Sequence, residues 1–319
     1  VWAVRRALLV GIDDYAEAPL AGCVNDATAM EGLLGRNDDG QVNFDTQLVT
    51  SDHQRVTRAR LREAIDGLFA DPAEVALLYF SGHGTENNLG GYLVTSDAAR
   101  YDEGVALADV LALANRAAHI REVVLIVDSC CSGWLGAVPA IDNAQASLRE
   151  GLSILSASRA SQSSLELDDR GVFTELVCSA LDGGAADILG NVSVASVYAY
   201  VDQALGAWDQ RPLFKSHVSR MLSLRTAKPA IDIAILRQLP EWFASADAEF
   251  PLSPRHEPAA NPRDDDAEAT FRSLQRCNRV KLVEPIDQED MYYAAIKSTG
   301  CRLTALGRFY WRLAGDGRI

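Results

Sequence analysis

The sequence predicts an α/β protein: a mostly parallel central sheet flanked by helices, then a small, mainly helical C-terminal module of winged-helix-like pattern. Three observations carry this. Short, near-continuous apolar runs recur through the first two-thirds of the chain, as in strands buried on both faces. Stretches of helical length fall between them, which is the alternation of an α/β fold. Beyond residue 225 a Pro- and Asp-rich stretch intervenes before order returns.

In chain order, the strands fall at Ala7–Ile12, Gln47–Thr50, Val75–Phe80, Val123–Val127 and Ser153–Ala157, and Pro212–Val218 closes the sheet. The helices fall at Asn25–Leu34, Thr57–Phe69, Val105–Ala117, Val172–Leu181 and Ser193–Trp208. Thr57 supplies a cap, and Leu61, Ile65 and Leu68 repeat at helical spacing. Cys131–Gly151 and Leu165–Gly171 read as long loops, the second carrying Glu166, Asp168 and Asp169. The first domain is thus residues 1–225. Residues 226–270 hold Pro240, Pro251, Pro254, Pro258 and Pro262 before the run Asp264–Asp266. They read as a short helix at Ile231–Phe243 and then a linker. Residues 271–319 form the accessory domain, with helices at Phe271–Arg279, Asp290–Thr299 and Thr304–Leu313 and a short strand at Val280–Val283.

The chain has 319 residues, 48% of them apolar, and a net charge of −14. Such a composition buries a core and excludes wholesale disorder. No apolar run reaches the ~18 residues of a membrane helix. The opening residues, Val1 to Tyr15, read as a first strand and not as a signal peptide. Residues 1–225 carry 17 basic and 30 acidic groups, so nucleic acid binding by a general basic surface is not expected there. Residues 271–319 carry 9 basic and 5 acidic groups, which permits DNA contact without arguing for it. Cysteines at 23, 130, 131, 178, 277 and 301 show no zinc-ligand spacing, so no metal is expected. Their usage fits a reducing, cytoplasmic setting.

Two strand ends deliver reactive side chains onto Gly-flanked turns. One ends at His83-Gly84, the other carries Asp128, Cys130 and Cys131. Parallel neighbours bring both turns to the carboxyl edge of the sheet, where α/β folds bind ligands. A Cys beside a His forms a thiolate–imidazolium pair, a strong nucleophile near neutral pH. The residues alone leave a second reading open, because a turn His and a buried Cys are common packing residues.

Ser81-Gly82-His83-Gly84 after an apolar strand, followed by Asp128-Ser129-Cys130-Cys131-Ser132-Gly133, resembles the caspase-like cysteine peptidases. Their metacaspase and bacterial orthocaspase branch is the nearer likeness. The second motif there normally reads Asp-x-Cys-His-Ser-Gly, so Cys130 aligns with the nucleophile and Cys131 stands where a His is usual. Ala7–Tyr15 and Gly22–Ala27 look like the family's opening, and Ser153–Gln162 and Gly171–Leu176 like its small-subunit half. The resemblance spans roughly residues 5–222. It implies the caspase–haemoglobinase sandwich fold, a Cys130/His83 dyad, and an oxyanion hole of the Gly84 and Cys130 backbone N–H groups. Cys131 then reads as a packing residue.

The resemblance also bears on specificity. Caspases hold a substrate Asp with Arg side chains, whereas metacaspases hold Arg or Lys with carboxylates. Asp26, Ser81 and Asp128 match the metacaspase pocket and retain its residue types. The alternatives are a helix N-cap for Asp26 and a strand-end turn for Asp128. Many metacaspases need calcium. Asp97 and Asp109 lie in a suitable stretch, but Ala137 falls where a further Asp is expected, so no obligatory calcium and no other cofactor are expected. Arg149 and Arg170, in the long loops, are candidate processing sites, with ordinary solvated Arg as the alternative. Trp242, Tyr292, Tyr293, Tyr310 and Trp311 read as core of a domain that docks a regulatory partner or activating protease. The expected protein is a regulated bacterial effector protease of defence or cell death, made as a zymogen, that cuts after Arg or Lys. The competing expectation is a catalytically silent caspase-fold scaffold acting through its C-terminal domain.

Overall fold

The computed structural model describes residues 4–129, 148–157, 166–167, 170–205 and 211–319, with backbone alone at 166, 167 and 170. The chain divides into two units, residues 1–186 with 191–228, and residues 187–190 with 229–319.

The first unit opens with β1 (Arg5–Gly11), α1 (Cys23–Leu34), β2 (Asp45–Thr50), α2 (Arg58–Ala70) and β3 (Ala73–Ser81). Next come β4 (Gly84–Asn87), β5 (Gly90–Ala99), β6 (Asp102–Ala106), α3 (Leu107–Arg116), β7 (Ile120–Asp128) and β8 (Leu152–Ser156). Then follow β9 (Glu166–Leu167), β10 (Arg170–Gly171), α4 (Val172–Ser179), β11 (Asn191–Ser193), α5 (Val194–Leu205), β12 (Leu213–His217) and β13 (Ser223–Thr226). The main sheet has the order β12-β8-β7-β3-β1-β2. All its pairs are parallel except β12 with β8.

Alternation along the central strands makes two cores. Leu8, Val10, Leu78, Phe80, Leu125 and Val127 pack with α2, α3 and β5–β6. Leu9, Leu77, Tyr79, Val124 and Ile126 pack with α1, α4 and α5. Both faces are covered, which is why these strands read as unbroken apolar runs. Across the middle of the sheet Gly11, Ser81 and Asp128 lie side by side.

The small antiparallel sheet β4-β5-β6 has no counterpart in the sequence expectation. The burial of β5 alternates, so its apolar signal is half that of a central strand. Val105, expected to begin a helix, ends up in β6, and α3 starts at Leu107. The Thr57 cap forms as expected, its hydroxyl accepting from the Arg60 N–H at 3.3 Å.

The second unit contains α6 (Ile233–Arg237), α7 (Leu239–Trp242), β14 (Glu249–Phe250), α8 (Asp265–Arg279), β15 (Val283–Pro285), α9 (Met291–Ile296), β16 (Cys301–Leu303) and α10 (Ala305–Gly315). Its three strands form an antiparallel sheet of order β14-β16-β15. The helix expected at Ile231–Phe243 is present as α6 and α7, and the linker expected after it is corrected here. Leu236, Leu239, Phe243 and Leu252 are buried together with Phe271, Leu274 and Leu282 in one core. Some of the residues that suggested a linker are helix starts instead. Pro240 occupies the first turn of α7, where its missing N–H costs nothing. Asp264 caps α8 by accepting from the Ala267 N–H at 3.0 Å, and Asp265, Asp266 and Glu268 sit at the positive end of that helix. Of the aromatic residues expected in the core, Tyr310 is buried, and Trp242 and Trp311 pack against it in part. Tyr292 and Tyr293 are about half exposed, at 49% and 47%. Among the described residues no helix is long and apolar enough to cross a membrane.

Leu236→Ala is expected to destabilise the second unit by about 2–5 kcal/mol, because it leaves a cavity at a fully buried position. The denaturant midpoint of that unit reads this, whereas a helix that packed against nothing would give almost no shift.

Candidate active site

The site is built outward from the ends of β1, β3 and β7. At Gly11 an added Cβ would lie 2.2 Å from the Cys23 carbonyl oxygen, so only glycine lets α1 start directly over β1. The α1 N-cap is Gly22, which has no capping side chain. Asp13 takes that duty, accepting from the Cys23 N–H at 2.8 Å and the Val24 N–H at 3.2 Å. Asp26, in the first turn, is therefore not the helix cap. Its side chain is 1% exposed, and Oδ2 accepts from the Ser81 hydroxyl at 3.2 Å and the Gly171 N–H at 3.3 Å.

Asp128, level with Ser81, is 5% exposed. Its Oδ2 accepts from the Thr174 hydroxyl at 2.7 Å, and Thr174 in turn lies 2.6 Å from the Tyr79 phenol. Gly171 joins the two carboxylates. A Cβ there would fall 2.5 Å from Asp128 Oδ2 and 3.2 Å from Asp26 Oδ2. Asp26, Ser81 and Asp128 are thus brought together around one backbone position. The Cys23 thiol faces the same place. Burial raises its pKa most, the Ser81 hydrogen bond lowers it, and Asp13, Asp128 and Asp26 raise it further. A buried group of carboxylates with dipolar donors suits a cation, and a guanidinium above all, whose planar fork bonds carboxylates in pairs.

His83 stands two residues beyond Ser81. The Gly82 N–H donates to the Asp128 carbonyl at 3.3 Å, which extends the β3–β7 ladder to the turn. The His83 N–H donates to the Tyr15 hydroxyl at 3.0 Å, and that hydroxyl donates to the Val94 carbonyl at 3.3 Å. Val94 N–H closes the loop on the His83 carbonyl at 3.0 Å. The two rings meet at a centroid distance of 4.6 Å. His83 Nε2 lies 2.7 Å from the Ala18 carbonyl, which only accepts, so Nε2 carries the proton. Nδ1 is then the basic nitrogen, and the carbonyl steadies the ring when it becomes cationic. Such a histidine serves as a general acid and base.

Tyr15 is the functional residue that sequence reasoning missed. It stood inside a recognised stretch without a role, because nothing in its local pattern separates a buried phenol that holds a backbone N–H from ordinary packing. Its hydroxyl also explains Gly82, where a Cβ would lie 2.5 Å away. Burial pushes the Tyr15 phenol well above its ordinary pKa, so it stays a donor.

Gly84 begins β4 opposite Leu93. Cys130, Cys131, Ala137 and the Arg170 side chain lie outside the described residues. Arg149 is placed differently from the expectation of a cleavable loop residue. Its guanidinium donates to the carbonyls of Ala114, Glu150 and Ile120, and its N–H to Asn115, so it staples the chain to the end of α3. A backbone held this way cannot extend into another active site. Asp97 accepts from Thr95 and the Arg58 N–H, and Asp109 pairs with Arg62. Among the described residues no three His, Cys, Asp or Glu side chains converge as metal ligands would.

Comparison with known proteins places this geometry. The model of the caspase domain family matches residues 4–223. A solved protein from Geobacter sulfurreducens aligns at 15% identity and a TM-score of 0.51, covering 70% of this chain and 100% of its own. Caspase-1 from Spodoptera frugiperda aligns at 14% identity and a TM-score of 0.52, covering 71% of this chain and 91% of its own. At these identities the structures speak for the fold alone. No curated protein matches the sequence.

Tyr15→Phe keeps the ring and removes only the hydroxyl. It is expected to cost about 1–3 kcal/mol in chemical denaturation, because the His83 N–H loses its acceptor. A phenol that merely filled space would show almost no change. A second expectation concerns the thiols. Cys23, Cys178, Cys277 and Cys301 are buried, and burial raises the pKa of Cys277 and Cys301 to about 12. All four are shut off from solvent, and burial also holds the protons on Cys23, Cys277 and Cys301, so mass mapping after brief alkylation of the native protein is expected to find the four unmodified. Labelling should appear only on denaturation.

Proposed function

The chain belongs to the caspase-domain family of cysteine peptidases, and we propose that it is an endopeptidase that cuts proteins after Arg or Lys through a Cys130/His83 dyad. The observation that carries the specificity is the approach of Asp26 and Asp128 to one point beside Gly171, with Ser81 donating to Asp26 and level with Asp128. An Arg side chain brings a planar fork to two carboxylates and gains charge-assisted hydrogen bonds. Lys brings a point charge and gains less. A substrate Asp meets like charge in a buried site, which is strongly unfavourable.

The chemistry follows from position. Ser81 and Asp128 are level, and His83 and Cys130 each stand two residues beyond them. In this reading the Cys130 sulfur attacks the scissile carbonyl carbon, and the carbonyl electrons move onto oxygen. The backbone N–H groups of Gly84 and Cys130 receive that oxyanion, each worth about 3 kcal/mol in hydrolases of this kind. As the tetrahedral intermediate collapses, the C–N bond breaks and protonated His83 gives its proton to the leaving amine. The thioester then takes a water molecule, whose proton goes to His83, and the acid and free thiolate are released.

Both pocket carboxylates are buried, so a substrate side chain reaches them only once the pocket opens. That suits a regulated effector protease of bacterial defence or cell death, with Arg170 as the remaining candidate for processing. Calcium is not needed in this reading, because Asp97 and Asp109 are already committed to Arg58, Thr95 and Arg62.

The test is a set of internally quenched peptides with Arg, Lys or Asp before the scissile bond, with and without calcium. Arg peptides should be cleaved first, Asp peptides not at all. Cys130→Ala should abolish turnover without unfolding the protein. Asp26→Asn and Asp128→Asn should each lower kcat/KM for Arg about 10- to 100-fold, the value of a lost charged hydrogen bond of ~1.5–3 kcal/mol. Cleavage after Asp, or full activity in Cys130→Ala, refutes the proposal.

A further inference from the structure

The active edge has a second hollow that the specificity pocket does not use. It encloses about 380 Å³ and is lined by Tyr15, Ala18, His83, Gly84, Val94 and Ala98. None of Asp26, Ser81, Asp128 and Gly171 borders it. The two sites belong to opposite faces of the sheet. Asp128 meets Thr174 of α4, and Asp26 sits on α1, both of which cover one face. Tyr15, Leu93 and Val94 belong to the core on the other face, beneath β5 and α2. His83 stands at the border, with its ring against Tyr15 and its Nε2 on the Ala18 carbonyl.

An extended peptide alternates its side chains, so neighbouring residues point to opposite sides. A substrate that sends its basic residue to Asp26 and Asp128 must send the next residue the other way, into this hollow. The bond between them then lies beside His83, which protonates the amine of that next residue. Alanines at 16, 18 and 98 leave the space open, and Tyr15 and Val94 make its wall apolar. Glu17 and Arg55 at its margin carry opposite charges, so no net charge selects the occupant. We propose that this cleft binds the side chain following the scissile bond and selects a medium-sized apolar residue such as Leu. The inference rests on the peptidase reading above and adds a second specificity site to it.

The experiment uses the full-length protein and quenched peptides that share Arg before the bond and differ only after it. Leu is expected to give a kcat/KM at least about 10-fold above Gly, in the range of apolar pocket selectivity. Ala98→Trp fills the cleft and should erase the Leu preference while Gly peptides are still cut after Arg. Ala16→Trp gives the same readout if Ala98→Trp fails to fold. Equal rates for Leu and Gly in the unaltered protein, or a Leu preference that survives a folded filling variant, overturns the proposal. If no peptide is cut, the peptidase reading fails, and binding decides the cleft. Leu-Gly-Gly amide at millimolar concentration should shift the Thr85, Thr95 and Ser96 amide resonances, and Gly-Gly-Gly amide should not. No shift with the Leu peptide overturns the proposal independently of activity.

Discussion

The active edge depends on one register: Gly11, Ser81 and Asp128 stand level across three neighbouring parallel strands. Side chains alternate along a strand, so a slip of one residue would turn Ser81 or Asp128 to the other face and dissolve the pocket. Several contacts pin the register. The Gly82 N–H to the Asp128 carbonyl carries the β3–β7 ladder one step past the strands. The Ile12 N–H does the same on the Ser81 carbonyl at 3.0 Å. Gly11 lets the start of α1 press onto β1, and Asp13 fixes that start from the loop between them. The position of Asp26 is therefore a consequence of strand order and helix capping, not of the side chain itself.

Given that register, electrostatics bears on what the proposed pocket would admit. Ser81, Gly171 and Thr174 satisfy carboxylate oxygens as dipoles and bring no positive charge. Removal from water raises the energy of an anion unless a counter-charge arrives. The neighbours register the resulting negative potential: Asp26 and Asp128 both help to hold the protons on the Cys23 thiol and the Tyr79 phenol. On the far side of the edge the arrangement is different. There His83 is held by a phenol at its backbone N–H and by a carbonyl at Nε2, so its ring is oriented. In the proposed reading, cation recognition and proton transfer lie on opposite faces of one sheet edge.

How much of this the sequence revealed depended on how local each signal was. Val75–Phe80 and Val123–Val127 were legible as strands because both their faces are buried, which gives unbroken runs of six and five apolar residues. His83 and Asp128 stood out because they follow strand ends, whereas Asp26 and Ser81 were singled out only through the family resemblance. The β4–β6 sheet was not, since its pattern is broken by Gly90, Gly91 and Gly104 and by the turn at Tyr101, which has a φ of 70°. The stretch 244–270 misled for a physical reason. Pro and Asp mark linkers and helix starts alike, and only long-range burial such as that of Leu252 separates the two. Arg149 misled similarly, because its carbonyl partners come from α3 and the start of β7, distant in sequence. Tyr15 and Gly171 gain their roles only from what folds against them.

Architecture and side-chain charge are separate matters at this edge. A sheet with this strand order brings the ends of β1, β3 and β7 together whatever side chains they carry. It does not fix the sign of the charge gathered there. In this chain the sign comes from Asp26 and Asp128, and their hydrogen bonds are of a kind an amide oxygen could also accept. Burial makes two such charges costly, and the proposed reading assigns them to a cationic side chain of the substrate.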